Sequence, residues 1–449
     1  MDVAELKQQA CAAIDANRDS IIALGETIMR NPETGFREVN TEALVTKTLT
    51  ELGLEPQTGL AITGVKARLK GNNSGPTLAL IGELDSLCIP DHPFADSVTG
   101  AAHACGHNAQ IAGMLGAATG LIRGGVAAEL GGDIAFFAVP AEEMIEVSYR
   151  MELRERGEIE FLTGKAEMIR RGHFDDIDLA LMCHTKNDKM ASHVANSSNG
   201  AVIKKIRFLG RAAHAGGRPQ LGINALNAAT LCMTAIALQR ETFWDSDTIR
   251  IHPIITKGGD AVSAVPANVV IETFVRGRTL EGIADAAAKV DQAAKGAALA
   301  IGAQVEIETT AGYLPQHNNK TISALWGDNV AKIYGADQFR IEEHRTGSTD
   351  MGDLGHIMPV SHPYIFGASG TGHGNDYLMA DPEAVYINMA KLLAMTSIDL
   401  LAADATQARE IVAEARPKLT KQQYLDFNRS MMSTETFGSK TTQPSGPQL

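Results

Sequence analysis

At 449 residues the chain is too long for one ordinary hydrophobic core, so it reads as two domains. With 44% hydrophobic and 21% charged residues it is globular, and a formal net charge of −13 argues against nucleic acid or an anionic membrane as the main partner. The five cysteines, Cys11, Cys88, Cys105, Cys183 and Cys232, are scattered and odd in number, which points to a reducing compartment rather than a disulfide framework.

Residues 1–54 read as two amphipathic helices around an Asn31-Pro32 break, with apolar residues at helical spacing in Ile21, Ile22, Leu24 and Ile28 and again in Leu44, Val45, Leu49 and Leu52. The N-terminus carries mixed charge and no basic stretch leading into an apolar core, so no signal peptide is expected. No apolar run approaches the roughly 20 residues of a membrane helix. A cytoplasmic protein is the expectation.

Residues 64–70 and 77–84 read as strands, the second almost wholly apolar, as a strand buried on both faces should be. It ends in Glu83-Leu84-Asp85. The stretch His103-Ala104-Cys105-Gly106-His107-Asn108 then opens a helical pattern over 107–123. Thiolate sulfur and imidazole nitrogen, two residues apart, are ligand types preferred by borderline-soft divalent metals. They fall beyond a strand end and beside a helix N-terminus, where open α/β sheets bind ligands. A strand over 133–139 runs into Pro140-Ala141-Glu142-Glu143, and another over 179–183 ends at His184. Successive strands thus bring acid and imidazole groups to one sheet edge. On a turn, two adjacent glutamates can point apart, one binding a metal and the other taking a proton from water whose pKa such an ion lowers toward about 7.

The pattern changes between about 195 and 310. Strand 202–209, helix 222–240, strands 248–256 and 267–276, helix 281–301 and strand 304–310 give the order β-α-β-β-α-β, a ferredoxin-like module inserted into the larger domain. The expected division is a catalytic domain in two parts, 1–194 and 311–432, around a module at 195–310. The segment 433–449, rich in Ser, Thr, Pro and Gly, is expected to be a mobile tail.

The motifs HACGH (103–107), PAEE (140–143), a strand ending in His184, HAGGRP (214–219) and GTGH (370–373) occur in one order. That series resembles the M20 metallopeptidase/amidohydrolase family, in particular the branch of aminobenzoyl-glutamate and indoleacetyl-amino-acid hydrolases, over about 15–405. The resemblance implies an α/β, mixed-sheet metallo-exopeptidase-like catalytic domain with an inserted ferredoxin-like dimerisation domain. It implies Cys105, His107, Glu143, His184 and His373 as ligands, a donor set that suits Zn, Mn, Co or Ni better than Mg or Ca. It also implies Glu142 as general base, Asp85 as a residue orienting the ligands, and His214 reaching a neighbouring active site in a homo-oligomer to steady the oxyanion. Arg276 would hold a substrate carboxylate, and Asp350 would line the pocket.

Three departures bear on the substrate. Ser263 stands where related sequences commonly carry Asn. Residues 144–163 look inserted after the glutamate pair, so Tyr149, Arg150, Arg154 and Arg156 either reach the pocket or lie on a solvated helix. Asn108-Ala109-Gln110 replaces an Asp-x-His. The expected function is hydrolysis of a C–N bond in a small carboxylate-bearing molecule, foremost the amide of an N-acyl or N-aroyl amino acid. The same machinery in the related nitroanthranilate aminohydrolases releases ammonia from an aromatic amine, which is the second reading. A non-catalytic metal-binding scaffold is the third, and Glu142 beside a full ligand set speaks against it.

Overall fold

The computed structural model describes residues 2–438. They divide into two compact units, one of residues 2–197, Gln316–Arg345 and Asp350–Lys421, the other of Ser198–Pro315, Thr346–Thr349 and residues 422–438.

The first unit is built on a mixed sheet in the order Gln57–Leu60, Gly64–Leu69, Asp133–Val139, Thr77–Glu83, Leu179–Met182, Val360–Ser361. Every residue of Thr77–Glu83 is buried, as its apolar run predicts, and it pairs in parallel with Asp133–Val139 and Leu179–Met182. Gly64–Leu69 adds an antiparallel strand. The helix His107–Arg123 is buried through Leu121, and Gly116 gives Ala390 of the closing helix Met389–Glu414 room to approach. That last segment corrects one expectation. Glu383–Glu414 is long and apolar enough to cross a membrane, but it lies mostly buried in this unit and its backbone leaves the helical region over 402–405, so it is a core helix. The N-terminal region also differs, holding three helices, Val3–Ala16, Arg18–Arg30 and Val39–Glu51. Asn17 breaks the first by turning its side-chain amide back onto the Ala13 carbonyl, 2.7 Å away.

Because the central strands run parallel, their carboxyl ends share one edge, with Glu83 in register with Val139. Glu83, Asp85, the Glu142–Glu143 turn and His184 all emerge there. A second, four-stranded sheet orders Phe339–Glu342, Ser192–Ala195, Tyr364–Phe366 and His184–Lys186, placing Tyr364 on a rung with His184 on one side and His193 on the other.

The second unit is ferredoxin-like. Its strands follow the order Arg250–Ile251, Asn268–Gly277, Gly200–Leu209, Gln304–Tyr313, all antiparallel, with helices Ala225–Leu238 and Leu280–Ile301 packed on the apolar face. Burial alternates along Asn268–Gly277, the signature of a sheet with one covered face. Asn224 and Thr279 cap the two helices by accepting backbone N–H groups. Pro253, which has no N–H to donate, separates Arg250–Ile251 from Ile254–Lys257. The expected tail begins differently: Ser433–Phe437 is an outer strand antiparallel to Gln304–Tyr313, pairing Phe437 with Val305. Its threonines and Phe437 suit a pleated strand, and an open sheet edge supplies the partner. The remainder of that expected tail, 439–449, lies outside the described residues.

Candidate metal centre

Gly106, at φ 100°, turns the chain between Cys105 and the helix that starts at His107. A Cβ there would collide with Thr185 Oγ1, so no other residue fits this conformation and this space. The turn aims both donors at one point. His107 Nδ1 lies 2.8 Å from the Asp85 carbonyl, and His184 Nδ1 lies 2.8 Å from that of Thr185. A carbonyl only accepts, so both rings carry a proton on Nδ1 and turn Nε2 toward the other donors; at His107, burial is outweighed by Cys105 and Glu83, which raise its pKa. His184 Nε2 is 3.2 Å from Cys105 Sγ. Burial above all, then neighbouring His107, lowers the His184 pKa to about 4 and keeps the ring neutral.

Glu143 donates its backbone N–H to Asp85 Oδ2 at 2.9 Å, and its Oε1 is 3.3 Å from His373 Nε2. His373 sits at φ 65°, its N–H bonded to the Ala104 carbonyl at 2.8 Å. The donor atoms of Cys105, His107 and His184 lie within 4.8 Å of one another, as do those of Cys105, Glu143 and His373. Cys105 therefore belongs to both groups. His107 Nε2 and Glu143 Oε1 are buried without hydrogen-bond partners. Orphaned lone pairs converging with a thiol and a further imidazole fit a borderline-soft divalent cation, which also deprotonates a thiol outright.

Glu142 is buried beside this cluster, and its donor oxygen groups with those of Glu83 and His107. Desolvation first, then the charges of Glu83, Glu143 and Asp350, raise its pKa well above the carboxylate range. The turn that carries it is held from both sides. Glu38 accepts the Ala141 N–H at 2.8 Å and the Thr63 hydroxyl at 2.5 Å. Opposite, the buried Arg150 guanidinium donates to the carbonyls of Glu143, Leu162 at 2.7 Å and Ala141 at 3.4 Å. The segment after the glutamates thus does something neither sequence reading foresaw. Arg150 turns inward between Val147 and Leu153 on the buried face of the helix Val147–Glu155. That i, i+3, i+6 spacing was the available signal. Tyr149 lies under the Arg37 guanidinium, 3.8 Å from ring centroid to carbon, and Arg156 pairs with Glu158 at the surface.

Lys165 was not singled out from sequence. It is fully buried, its Nζ 2.5 Å from Glu83 Oε1 and also against Asp350 Oδ1, while its N–H donates to Asp350 Oδ2 at 3.2 Å. Asp350, expected to line a pocket, is thus enclosed with both oxygens on Lys165. Desolvation raises its pKa to about 6 against the pull of Lys165. The departure at Gln110 has a structural role: its amide donates to Glu83 Oε2 at 2.8 Å and accepts the Glu83 N–H at 3.2 Å. Asn108 donates to the Gly25 carbonyl and the Tyr386 hydroxyl.

The remaining predicted residues lie in the second unit. His214 is exposed, and its Nδ1 accepts the N–H groups of Gly216 at 3.2 Å and Gly217 at 2.9 Å, leaving the proton on Nε2. The Ser263 carbonyl accepts the Ala215 N–H at 2.9 Å, joining the two loops. Arg276 stacks on Phe274 at 5.0 Å, its Nε buried without a partner.

An inserted ferredoxin-like unit and a sheet edge carrying Cys, His and Glu donors define a class of metallohydrolase, and comparison with known proteins makes it specific. The model of peptidase family M20/M25/M40 matches residues 79–397. A mouse (Mus musculus) Xaa-Arg dipeptidase is 27% identical over 439 residues, covering 94% of each chain. One of the subunits of the Escherichia coli p-aminobenzoyl-glutamate hydrolase is 27% identical over 344 residues, 74% of this chain and 66% of that one. A dinuclear metal-binding M20 peptidase from Bacillus subtilis superposes with a TM-score of 0.64 at 22% identity, covering 86% of this chain and 99% of its own. The chain belongs to the M20/M25/M40 peptidase family. It is a hydrolase acting on C–N bonds, in a family that is metal-dependent.

Proposed function

We propose that the protein hydrolyses the amide of an N-acyl or N-aroyl amino acid. The observation that carries this reading is the buried Glu142 beside two donor groups that share Cys105. The similarity to a dipeptidase and to a p-aminobenzoyl-glutamate hydrolase supports an amide on an amino acid as the bond.

In this reading Cys105, His107 and His184 would hold one divalent ion, Mn or Zn with Co or Ni as alternatives, and Cys105, Glu143 and His373 would hold a second. Such an ion would supply Lewis acidity to water and to the amide carbonyl. Asp85 positions both sets, its carbonyl fixing His107 and its carboxylate fixing Glu143. Glu142 takes the proton from the attacking water as the C–O bond forms and passes it to the leaving nitrogen as the C–N bond breaks, giving a carboxylate and an amine. Its raised pKa suits a group that must accept and then release that proton. His214 from a second protomer, with its proton on Nε2, steadies the developing oxyanion, so the working form is a homodimer or larger. Arg276 receives the amino-acid carboxylate, with Ser263 in the neighbouring loop. None of the five cysteines is in a disulfide, as a cytoplasmic protein would have them.

The test offers the Mn- or Zn-loaded protein N-aroyl amino acids and a nitro-substituted aminobenzoate side by side, and measures free amino acid and free ammonia. Amino acid release is the expected result. Ammonia alone would overturn this reading in favour of hydrolytic deamination.

A further inference from the structure

Arg345 lies over an aromatic ring rather than against a carboxylate. Its guanidinium carbon lies 3.9 Å from the centroid of the Tyr364 ring, and its Nη1 is buried without a hydrogen-bond partner. Its backbone is fixed by an N–H bond to the Ser197 carbonyl at 3.0 Å. Among the described residues no carboxylate forms an ion pair with it, although Arg340 nearby in sequence pairs with both Asp188 and Glu342.

The ring beneath Arg345 leads to the metal centre. Tyr364 pairs with His184 across the strands, ring centroids 5.1 Å apart, and it stacks on His193 at 5.2 Å with planes 8° apart. His362 packs against the same ring at 5.0 Å. An aromatic face orients a guanidinium without neutralising it. Arg345 is only partly buried, and a guanidinium is a planar fork suited to a carboxylate bound through two parallel N–H···O bonds.

We propose that Arg345 is a specificity-determining residue that binds a carboxylate of the substrate on the His184 side of the metal centre. This rests on the amide-hydrolase reading for the identity of the reaction, but not for the charge that is recognised. It differs from the expected role of Arg276, because Arg345 belongs to the same unit as the metal donors. Substrates with a carboxylate within reach of Arg345 are preferred over their neutral primary amides.

The test is calorimetric titration of Mn-loaded, full-length Glu142→Gln protein with a set of N-benzoyl amino acids and their primary amides. The acid is expected to bind roughly tenfold or more tightly than its amide, the scale of one charge-assisted contact. Adding Arg345→Met should cut that preference roughly tenfold by weakening the acid alone, leaving what Arg276 supplies, and Arg345→Lys should restore part of it. Arg345→Gln, which keeps a planar polar group, guards against loss of folding in the Met variant, with thermal unfolding followed for all three. An acid preference undiminished in Arg345→Met or Arg345→Gln would overturn the proposal, as would its absence from the Glu142→Gln protein itself. Failure of the intact enzyme to release amino acid would sink the amide-hydrolase reading instead, and the binding preference would still decide the role of Arg345.

Discussion

The ammonium of Lys165 lies 2.5 Å from a carboxylate oxygen of Glu83, and both side chains are closed off from solvent. The other oxygen of Glu83 is 3.1 Å from His107 Nε2, so this pair stands directly behind the candidate metal donors. Removing one member of a buried pair leaves the other charge uncompensated, a loss of about 3–5 kcal/mol. Lys165→Met is expected to destabilise the metal-free protein by that order, read from denaturant unfolding. Adding Glu83→Gln should recover part of the loss, because the two sites are coupled. Additive losses would show that the pair is not the source.

Arg150 holds the carbonyls around Glu142 and Glu143, so under the proposed function its removal should act on the metal as well as on the fold. Arg150→Met is expected to weaken Mn or Zn binding about 10- to 100-fold, the usual effect of losing a group that orients ligands. Arg150→Lys should restore little, since a point charge cannot serve three carbonyls as a planar fork does. Metal titration followed by calorimetry decides this; unchanged affinity in Arg150→Met would remove Arg150 from the account of the site.

Cys105 belongs to both donor groups, while His373 belongs to one. If both groups hold an ion, Cys105→Ala should empty them together and His373→Ala should empty only the second. Elemental analysis after dialysis against low metal gives the stoichiometry. Loss of a single ion in Cys105→Ala would show that the thiol does not bridge.

Burial holds His184 and His193 at about 4 and His103 at about 3. Each is depressed below the unfolded value near 6.5. Between about pH 6.5 and 4 these three groups bind more protons in the unfolded chain than in the folded one, so their contribution to stability is full above that window and falls as pH drops through it, whereas the raised carboxyls of Glu142 and Asp350 act in the opposite sense. Melting temperatures of the metal-free protein and of His193→Gln, followed from pH 7.5 to 4, isolate one such group. The variant should lose less stability than the parent between pH 6.5 and 4, and a difference between the two that does not change with pH would contradict the assignment.

Local pattern revealed the parts of this molecule whose cause is local. The apolar run of Thr77–Glu83, the alternation in Asn268–Gly277 and the Cys-Gly-His turn each carry their own signal, and the donors at the strand ends followed from parallel order. Lys165 and Arg150 were not legible in that way. A lysine between apolar residues or an arginine in a charged helix reads as solvent-facing until the partners, Glu83 and Asp350 or three backbone carbonyls, are brought in by the fold. Ser433–Phe437 was missed for a similar reason, since its strand depends on an open edge more than a hundred residues earlier in the chain.

The central claim is that Glu142 moves the proton in a metal-dependent hydrolysis. Its most direct test is turnover of an N-aroyl amino acid by Glu142→Gln, with metal content measured on the same sample. The account predicts a fall in kcat of about 10²- to 10⁴-fold with the bound metal retained. Undiminished turnover in a variant that keeps its metal would contradict it.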